Sequence, residues 1–322
     1  KRFFAAKMGF EIADFDAVKR KIYIDHGVKV YRLPIKKYIP HSKPSRIILK
    51  KQKDKIEEIL KKENFKPDVI IGHWASPQME IISELKKTYH CKTVVVLHGT
   101  GYIDSSKFNA QKYLKYIDLV GARSLSQAKQ IKEILNLNKL PFVCNSGIPD
   151  EYLMNYTLNL NKYKDIDIWK ITFVGRLVAY KNIDSIIKAL SKINDIKWEL
   201  NIVGEGGARY YLEKLANRLN CSAKIRFWGS VSRDTVMEIL KETHIFAMIS
   251  TNEVFGLVYL EALAASCLTI ASKNGGVDGI IINDFNGFLC READDNELKL
   301  IFENITKCDS EVLMRIVEQG YN

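Results

Sequence analysis

Two glutamates eight positions apart, Glu253 and Glu261, bracket the residues Phe255-Gly256-Leu257. The run before them, Ile245 to Ile249, is short and apolar, as in a buried parallel strand. The run after them, Leu257 to Ala265, is rich in helix formers. The stretch therefore predicts strand, loop and helix, with Gly256 where the helix begins. A helix start offers free N–H groups and the positive end of the macrodipole to an anion. Glu253 then falls in the loop, and Glu261 lies a little over one turn into the helix.

Fixed cations lie near other predicted strand ends. Gly175-Arg176 follows the apolar run Trp169–Val174, and Lys181 comes five residues later. Gly204-Glu205-Gly206-Gly207 follows Trp198–Val203, and Gly275-Gly276 comes after Leu268–Ala271. In open parallel sheets, ligands bind beyond the carboxyl ends of the strands. Two cations and glycine-led helix starts suit a diphosphate, and a carboxylate such as Glu261 suits sugar hydroxyls. In the first half of the chain the strand-end residues are His73, Trp74, His98 and Gly99. The expectation is a nucleotide diphosphate on the second half, with His98 facing it across a cleft.

Each piece has a plainer reading. Arg176 and Lys181 could be surface charge, Glu253 and Glu261 solvated acids near a helix start, and His73 and His98 structural histidines. The joint pattern argues for a site. The Gly204-x-Gly206-Gly207 run departs from the dinucleotide fingerprint, which argues against nicotinamide binding.

The elements that must position these residues follow a regular rhythm. Strand-like runs at 67–72, 93–97 and 142–149 alternate with helical stretches, and a second series starts at Trp169. Such alternation predicts an α/β fold of parallel sheets with helices on both faces. Residues 150–168 are polar and Asn-rich and break the rhythm. The expected organisation is an N-terminal domain over 1–150, a linker over 151–168 and a C-terminal domain over 169–322. Residues 1–13 read as a helix end, a glycine stop and a strand. An α/β domain opens with a strand and turn, so an N-terminal piece of a few tens of residues is expected to precede them.

Composition bounds the rest. The chain has 322 residues, 47% hydrophobic and 27% charged, enough for two globular domains. No apolar run reaches the roughly 18–20 residues of a membrane span, and no signal peptide is visible. Six cysteines without a C-x-x-C pair read as buried thiols rather than a disulfide frame or a metal site, so the expected location is cytoplasmic. Residues 1–150 carry 29 Lys and Arg against 15 Asp and Glu, a net of +14, whereas 151–322 carry 20 against 23, a net of −3. An anionic partner is expected for the first half. Within it, residues 36–66 hold eleven basic residues against four acids, with a helix predicted over Ser45–Lys62. This segment reads as a solvated lysine-rich face or as an element docking on anionic lipid. Aromatics are not interleaved with its lysines, which gives nucleic acid little support.

The motifs resemble those of the retaining GT-B glycosyltransferases of family 4, over nearly the whole chain. Glu253 and Glu261 match the family's E-x7-E motif, Gly175-Arg176-Leu177…Lys181 its G-R-L…K segment, and Val203-Gly-Glu-Gly206 its V-G-x-G turn. Asn274-Gly-Gly276 and Asn286-Gly-Phe-Leu289 match two further signatures, while Pro67-Asp-Val-Ile70, Val96-Leu-His98-Gly99 and Asn145-Ser-Gly-Ile-Pro149 match more loosely. The resemblance implies the GT-B architecture, two Rossmann-like domains facing a central cleft. It implies catalytic roles for His98, Arg176, Lys181 and Glu253. Arg176 and Lys181 would hold the donor diphosphate, Glu253 the transferred sugar, and His98 would reach the donor near the reacting carbon. Gly175, Gly204, Val231, Phe255, Gly256, Leu257 and Glu261 would bind the donor, with Val231 near the base and Glu261 on the ribose. The donor would be a UDP- or GDP-linked sugar, with no metal or other cofactor needed. The acceptor would be a glycan or a lipid-linked chain in cell-surface polysaccharide synthesis, at the inner face of the membrane. This chain departs from the family in having Ser266-Cys-Leu268 after the second glutamate's helix and Gly279 where an acid is common. The family's Gly-rich loop after the first strand and its final crossing helix are not evident. A nucleotide-sugar epimerase of the same architecture and a non-catalytic binding protein for a sugar nucleotide or glycan are the rival readings.

Overall fold

In a computed structural model of the chain, residues 22–35, 44–101, 103 and 108–322 are described. The elements expected over residues 1–13, and positions 36–43 of the basic segment, lie outside the described residues. The chain forms two compact units, one of residues 1–95 with 106–118 and one of 96–105 with 119–322.

The smaller unit begins with an antiparallel hairpin, β1 (Ile22–Asp25) and β2 (Val28–Tyr31). His26 and Gly27 at its tip both have positive φ (45° and 80°), as a tight two-residue turn requires. The sequence reading recognised only the extended run from Val28. β1 lacks a core-facing signature because Ile22 and Ile24 are exposed. Helix α1 (Arg46–Lys62) starts at Ser45, whose Oγ accepts from Ile48 N at 3.4 Å. Gln52 is its one buried residue and donates to Pro34 O at 2.9 Å. β3 (Val69–His73), α2 (Gln78–Tyr89) and β4 (Lys92–Leu97) follow at the positions the alternation predicts. The short α3 (Gln111–Leu114) leads to Asp118. There the carboxylate accepts from Lys86 Nζ (2.6 Å), Thr93 N (2.7 Å) and Thr93 Oγ1 (3.0 Å). The Lys86 ammonium and the Thr93 donors hold the Asp118 carboxyl down at about 2.

The larger unit contains β5 (Leu119–Ala122), α4 (Leu125–Ile134), β6 (Phe142–Val143) and α5 (Asp150–Asn155), with β5 and β6 parallel. It then builds a six-stranded sheet from β7 (Trp169–Val174), β8 (Trp198–Val203), β9 (Ile225–Gly229), β10 (Ile245–Met248), β11 (Leu268–Ser272) and β12 (Phe288–Cys290). The order is β12-β11-β10-β7-β8-β9, and every adjacent pair is parallel. All residues of β10 and β11 are buried, as strands covered on both faces must be. The intervening helices are α6 (Ile183–Ser191), α7 (Arg209–Arg218), α8 (Arg233–Lys241) and α9 (Leu257–Ala264). The chain runs outward from β7 through β8 to β9, then returns to lay β10 on the other side of β7. That reversal makes a topological switch point between β7 and β10, the place where an open parallel sheet leaves a crevice for ligand.

One segment differs from expectation. Residues 151–168, read as a linker, pack onto the core of the larger unit. Tyr156 and Tyr163 are 3% and 2% exposed, and the single Tyr163 hydroxyl proton is shared between the carbonyls of His244 and Ser266 (both 2.8 Å from Oη). Lys162 Nζ reaches the carbonyls of Thr243 (2.6 Å) and Ala265 (2.9 Å), just past the ends of α8 and α9. A polar sequence thus serves as a cap on helix termini, where its amine meets carbonyls left unpaired by the helices. The helix that the sequence pattern starts at about Asp295 is α10 (Asp295–Lys307), and a further helix, α11 (Ser310–Tyr321), follows it. α11 buries Leu313, Ile316 and Val317, and Tyr321 Oη lies 3.3 Å from Tyr156 O. No helix among the described residues is long and apolar enough to cross a membrane.

Candidate active site

Backbone pairing continues past the strands where β7, β8 and β9 end. Gly175 N donates to Val203 O (2.9 Å), Leu177 N to Glu205 O (2.9 Å) and Gly204 N to Gly229 O (2.8 Å). A Cβ on Gly204 would lie 1.9 Å from Gly175 O, and one on Gly206 2.3 Å from Leu177 O. The two glycines are needed because one loop's backbone lies directly on the next. Gly204 and Gly175, read from the sequence as donor-binding, therefore meet here as neighbouring turns.

The cations come from the turn after β7. Arg176 is exposed, and no ion pair among the described residues engages it. Lys181 closes a single 3-10 turn (Ala179–Lys181) that ends at Asn182, which has a φ of 51°. The Asn182 amide donates to Ile249 O (2.8 Å) and Thr251 Oγ1 (2.9 Å), and Thr251 N donates to Tyr180 O (2.8 Å). These bonds fasten the lysine turn to the loop after β10. Lys181 Nζ forms an ion pair with the Glu253 carboxylate, and the two side chains are 13% and 14% exposed. Residues 72 positions apart are thus joined at the switch point.

The Glu253–Glu261 stretch has the predicted strand–loop–helix form. Phe255 is 4% exposed, and its carbonyl would meet a Cβ on Gly276 at 2.4 Å, which explains the glycine there. Gly256 has a φ of 83° and stands at the head of α9. A Cβ on it would lie 2.7 Å from the ring of Tyr259, whose hydroxyl donates to Met248 O at 2.6 Å. No side chain caps α9 and no acid lies in its first turn, where the positive end of the helix dipole emerges. Leu257, the first helical residue, is 37% exposed.

Glu261 is 8% exposed and accepts from Arg233 Nη2 at 2.7 Å. Arg233 opens α8, directly after the N-cap Ser232 and two residues beyond the half-buried Val231. The sequence reading missed Arg233. Its place at a helix start beside Val231 was legible, but its pairing with Glu261 needed the sheet order. His98 is half-buried after β4. A Cβ on Gly99, with a φ of 125°, would lie 3.7 Å from Val254 Cγ2, so the His98-Gly99 turn runs beside the Glu253 loop. His73 and Trp74, also read as strand-end residues, belong to the smaller unit.

The fold and motifs can be set beside known proteins. The sequence pattern of the family described as glycosyl transferases group 1 matches residues 162–322, half of the chain. An uncharacterized glycosyltransferase of Methanocaldococcus jannaschii is 29% identical over 72% of this chain and 63% of its own length. The N-acetyl-alpha-D-glucosaminyl L-malate synthase of Bacillus anthracis is 28% identical over 74% of this chain and 65% of its own length. The chain therefore spans just under two thirds of these two relatives. The crystal structure of Anabaena HepE in complex with UDP has a TM-score of 0.66 at 18% identity, covering 85% of this chain and 76% of that one. That likeness shows the α/β fold of the GT-B glycosyltransferases. With the family's pattern matched across the sheet, turns and helix that form the site, the chain belongs to the glycosyl transferases group 1 family.

Proposed function

We propose that the chain is a retaining glycosyltransferase of the family 4 type that takes a sugar from a UDP- or GDP-linked donor. The observation that carries this reading is the Lys181–Glu253 ion pair at the β7/β10 switch point, beside the uncapped start of α9. The donor's diphosphate lies over that helix start, between Lys181 and the exposed Arg176. The backbone around Gly175, Gly256 and Leu257 approaches it closely. Glu253, held by Lys181, contacts the transferred sugar. Glu261, held by Arg233, binds the ribose, and Val231 lies near the base. Fixed cations and helix N–H groups stabilise charge as it develops on the leaving diphosphate, which is the electrostatic mode of catalysis. The acceptor hydroxyl attacks the anomeric carbon from the side the diphosphate leaves. Its proton passes to the leaving phosphate and the anomeric configuration is kept. His98 lines the donor sugar near that carbon. This design uses two cations where other transferases use a metal.

UDP in the HepE structure supports a uridine donor, and the name of the Bacillus relative supports an N-acetylhexosamine as the first sugar to test. The +14 balance of residues 1–150 supports an anionic acceptor, a phosphate-linked lipid or glycan at the cytoplasmic membrane face. The basic segment 36–66 then keeps the enzyme near anionic lipid.

The test is transfer from labelled UDP- and GDP-sugars to membrane lipid extract. Arg176→Ala, at an exposed position, should lower kcat/KM by on the order of a hundredfold while leaving the melting temperature unchanged. Unchanged turnover in Arg176→Ala overturns the phosphate assignment. Conversion of the donor sugar without any acceptor would instead identify an epimerase.

A further inference from the structure

A cavity of about 550 Å³ opens in the smaller unit among α1, α2 and α3. Its walls carry six cations, Arg46, Lys50, Lys53, Lys87, Lys112 and Lys115, against the three acids Asp54, Glu80 and Glu84. Lys53 is answered by Glu57 at 2.9 Å and Lys87 by Glu84 at 2.5 Å. Among the described residues, no ion pair engages Arg46, Lys50, Lys112 or Lys115. Cations gathered in one concavity repel each other, and an anion placed among them relieves that repulsion.

The same walls offer apolar and aromatic surface. Lys112 Nζ lies 5.8 Å from the ring centroid of Tyr113, and Lys115 Nζ lies 5.1 Å from that of Tyr116. Tyr113 stacks on the buried Phe108 (5.6 Å, 10° between planes), which fixes its ring. Leu49 and Ile81 add aliphatic wall. The volume is that of a site for an organic molecule, well beyond what a free phosphate would fill.

We propose that this cavity binds a phosphate monoester or diester that carries an apolar or aromatic group. The phosphate meets Arg46, Lys50, Lys112 and Lys115, and the organic part lies against Leu49, Ile81 and the two tyrosines. The site is separate from the nucleotide-sugar reading, whose residues all belong to the larger unit. It also makes a sharper claim than general attraction of a basic segment to lipid, because it names one face of α1.

Two charge-matched variants test it in the full chain. Lys50→Ala/Lys112→Ala removes two exposed cavity cations. Lys61→Ala/Lys62→Ala removes two from the last turn of α1, outside the cavity. Melting curves establish that both variants fold. Binding is measured by calorimetry with phenyl phosphate, and by co-sedimentation with phosphatidylcholine vesicles with and without phosphatidic acid. The cavity pair should lose at least about tenfold in affinity for one of these probes, while the helix-end pair keeps it. Loss confined to phenyl phosphate identifies a soluble ester as the source, and loss on phosphatidic-acid vesicles identifies a lipid headgroup. Equal weakening by the two variants on both probes, or no saturable binding to either probe, overturns the proposal. Binding of UDP, measured by calorimetry, is expected to be the same in both variants, because the residues assigned to the donor all belong to the larger unit, so this test fails or succeeds independently of the donor-site assignment.

Discussion

The two carboxylates of the site are each held by a cation, and the cations come from different places. Lys181 reaches Glu253 from the turn after β7, while Arg233 reaches Glu261 from the first residue of α8. The second pair is asymmetric, with the side chain of Glu261 10% exposed and that of Arg233 51% exposed. A nearly buried carboxylate needs its partner more than the exposed guanidinium does. Arg233→Ala should therefore destabilise the protein by about 1–3 kcal/mol in urea unfolding. It should also raise the donor KM with little change in kcat, because Glu261 would be left without the bond that orients it. Arg233→Lys should recover part of both effects. A fall in kcat at constant KM would contradict a positioning role. Both glutamates and Lys181 were legible as types at a spacing. Arg233 was not, because a helix-start arginine is usually a solvated charge.

At the scale of elements, strands and helices were legible because periodicity and apolar runs are local properties. Helices α1, α2, α8 and α9 fall where residue pattern places them. The glycines of the turns carried less information than their geometry does. Gly204 and Gly207 look alike in the run Gly-Glu-Gly-Gly, yet a Cβ on Gly204 collides with Gly175 O while one on Gly207 meets nothing within 4 Å. Gly204→Ala should separate the β7 and β8 turns and lower the melting temperature by several degrees, with loss of donor binding. Gly207→Ala should leave both unchanged within error. Equal tolerance of the two substitutions in thermal melts would mean that the turns are not in contact. The hairpin β1–β2 escaped notice for the opposite reason, since its apolar residues face solvent and leave no burial pattern.

At the scale of the whole chain, the stretch 151–168 changes meaning. It is stitched into the larger unit around His244, which is 9% exposed and packs edge-on to Tyr163 and Trp169. His244 Nδ1 accepts from Lys170 N at 3.0 Å, so a proton there would break the bond. Burial, aided by Lys162 and Lys170, pushes its pKa down to about 4. In the unfolded chain the imidazole titrates near its ordinary 6.5, so between about 6.5 and 4 the unfolded state binds the extra proton. The stability this histidine contributes is complete above pH 6.5 and is lost as the pH falls toward 4. It amounts to at most about 3 kcal/mol. Urea unfolding at pH 7.5 and pH 5 should show this fall, and His244→Asn, which keeps an acceptor but not the titration, should flatten it. An identical slope in the variant would place the pH dependence elsewhere.

Residue types and their spacing alone determined that the chain alternates strands and helices and where the E-x7-E stretch lies. They also placed the glycine at the helix start and concentrated positive charge in the first half. Those are properties of neighbours along the chain. Only the tertiary structure decided which charges meet. The order β12-β11-β10-β7-β8-β9 brings β7 and β10 side by side, pairing Ile171 with Ile245 across 74 positions of sequence. That adjacency makes the Lys181–Glu253 pair. It also turns a polar stretch into a cap on two helix ends and gathers dispersed lysines of α1, α2 and α3 around one cavity. Long-range pairing depends on how the hydrophobic faces of many elements are buried together, and no local window contains that information.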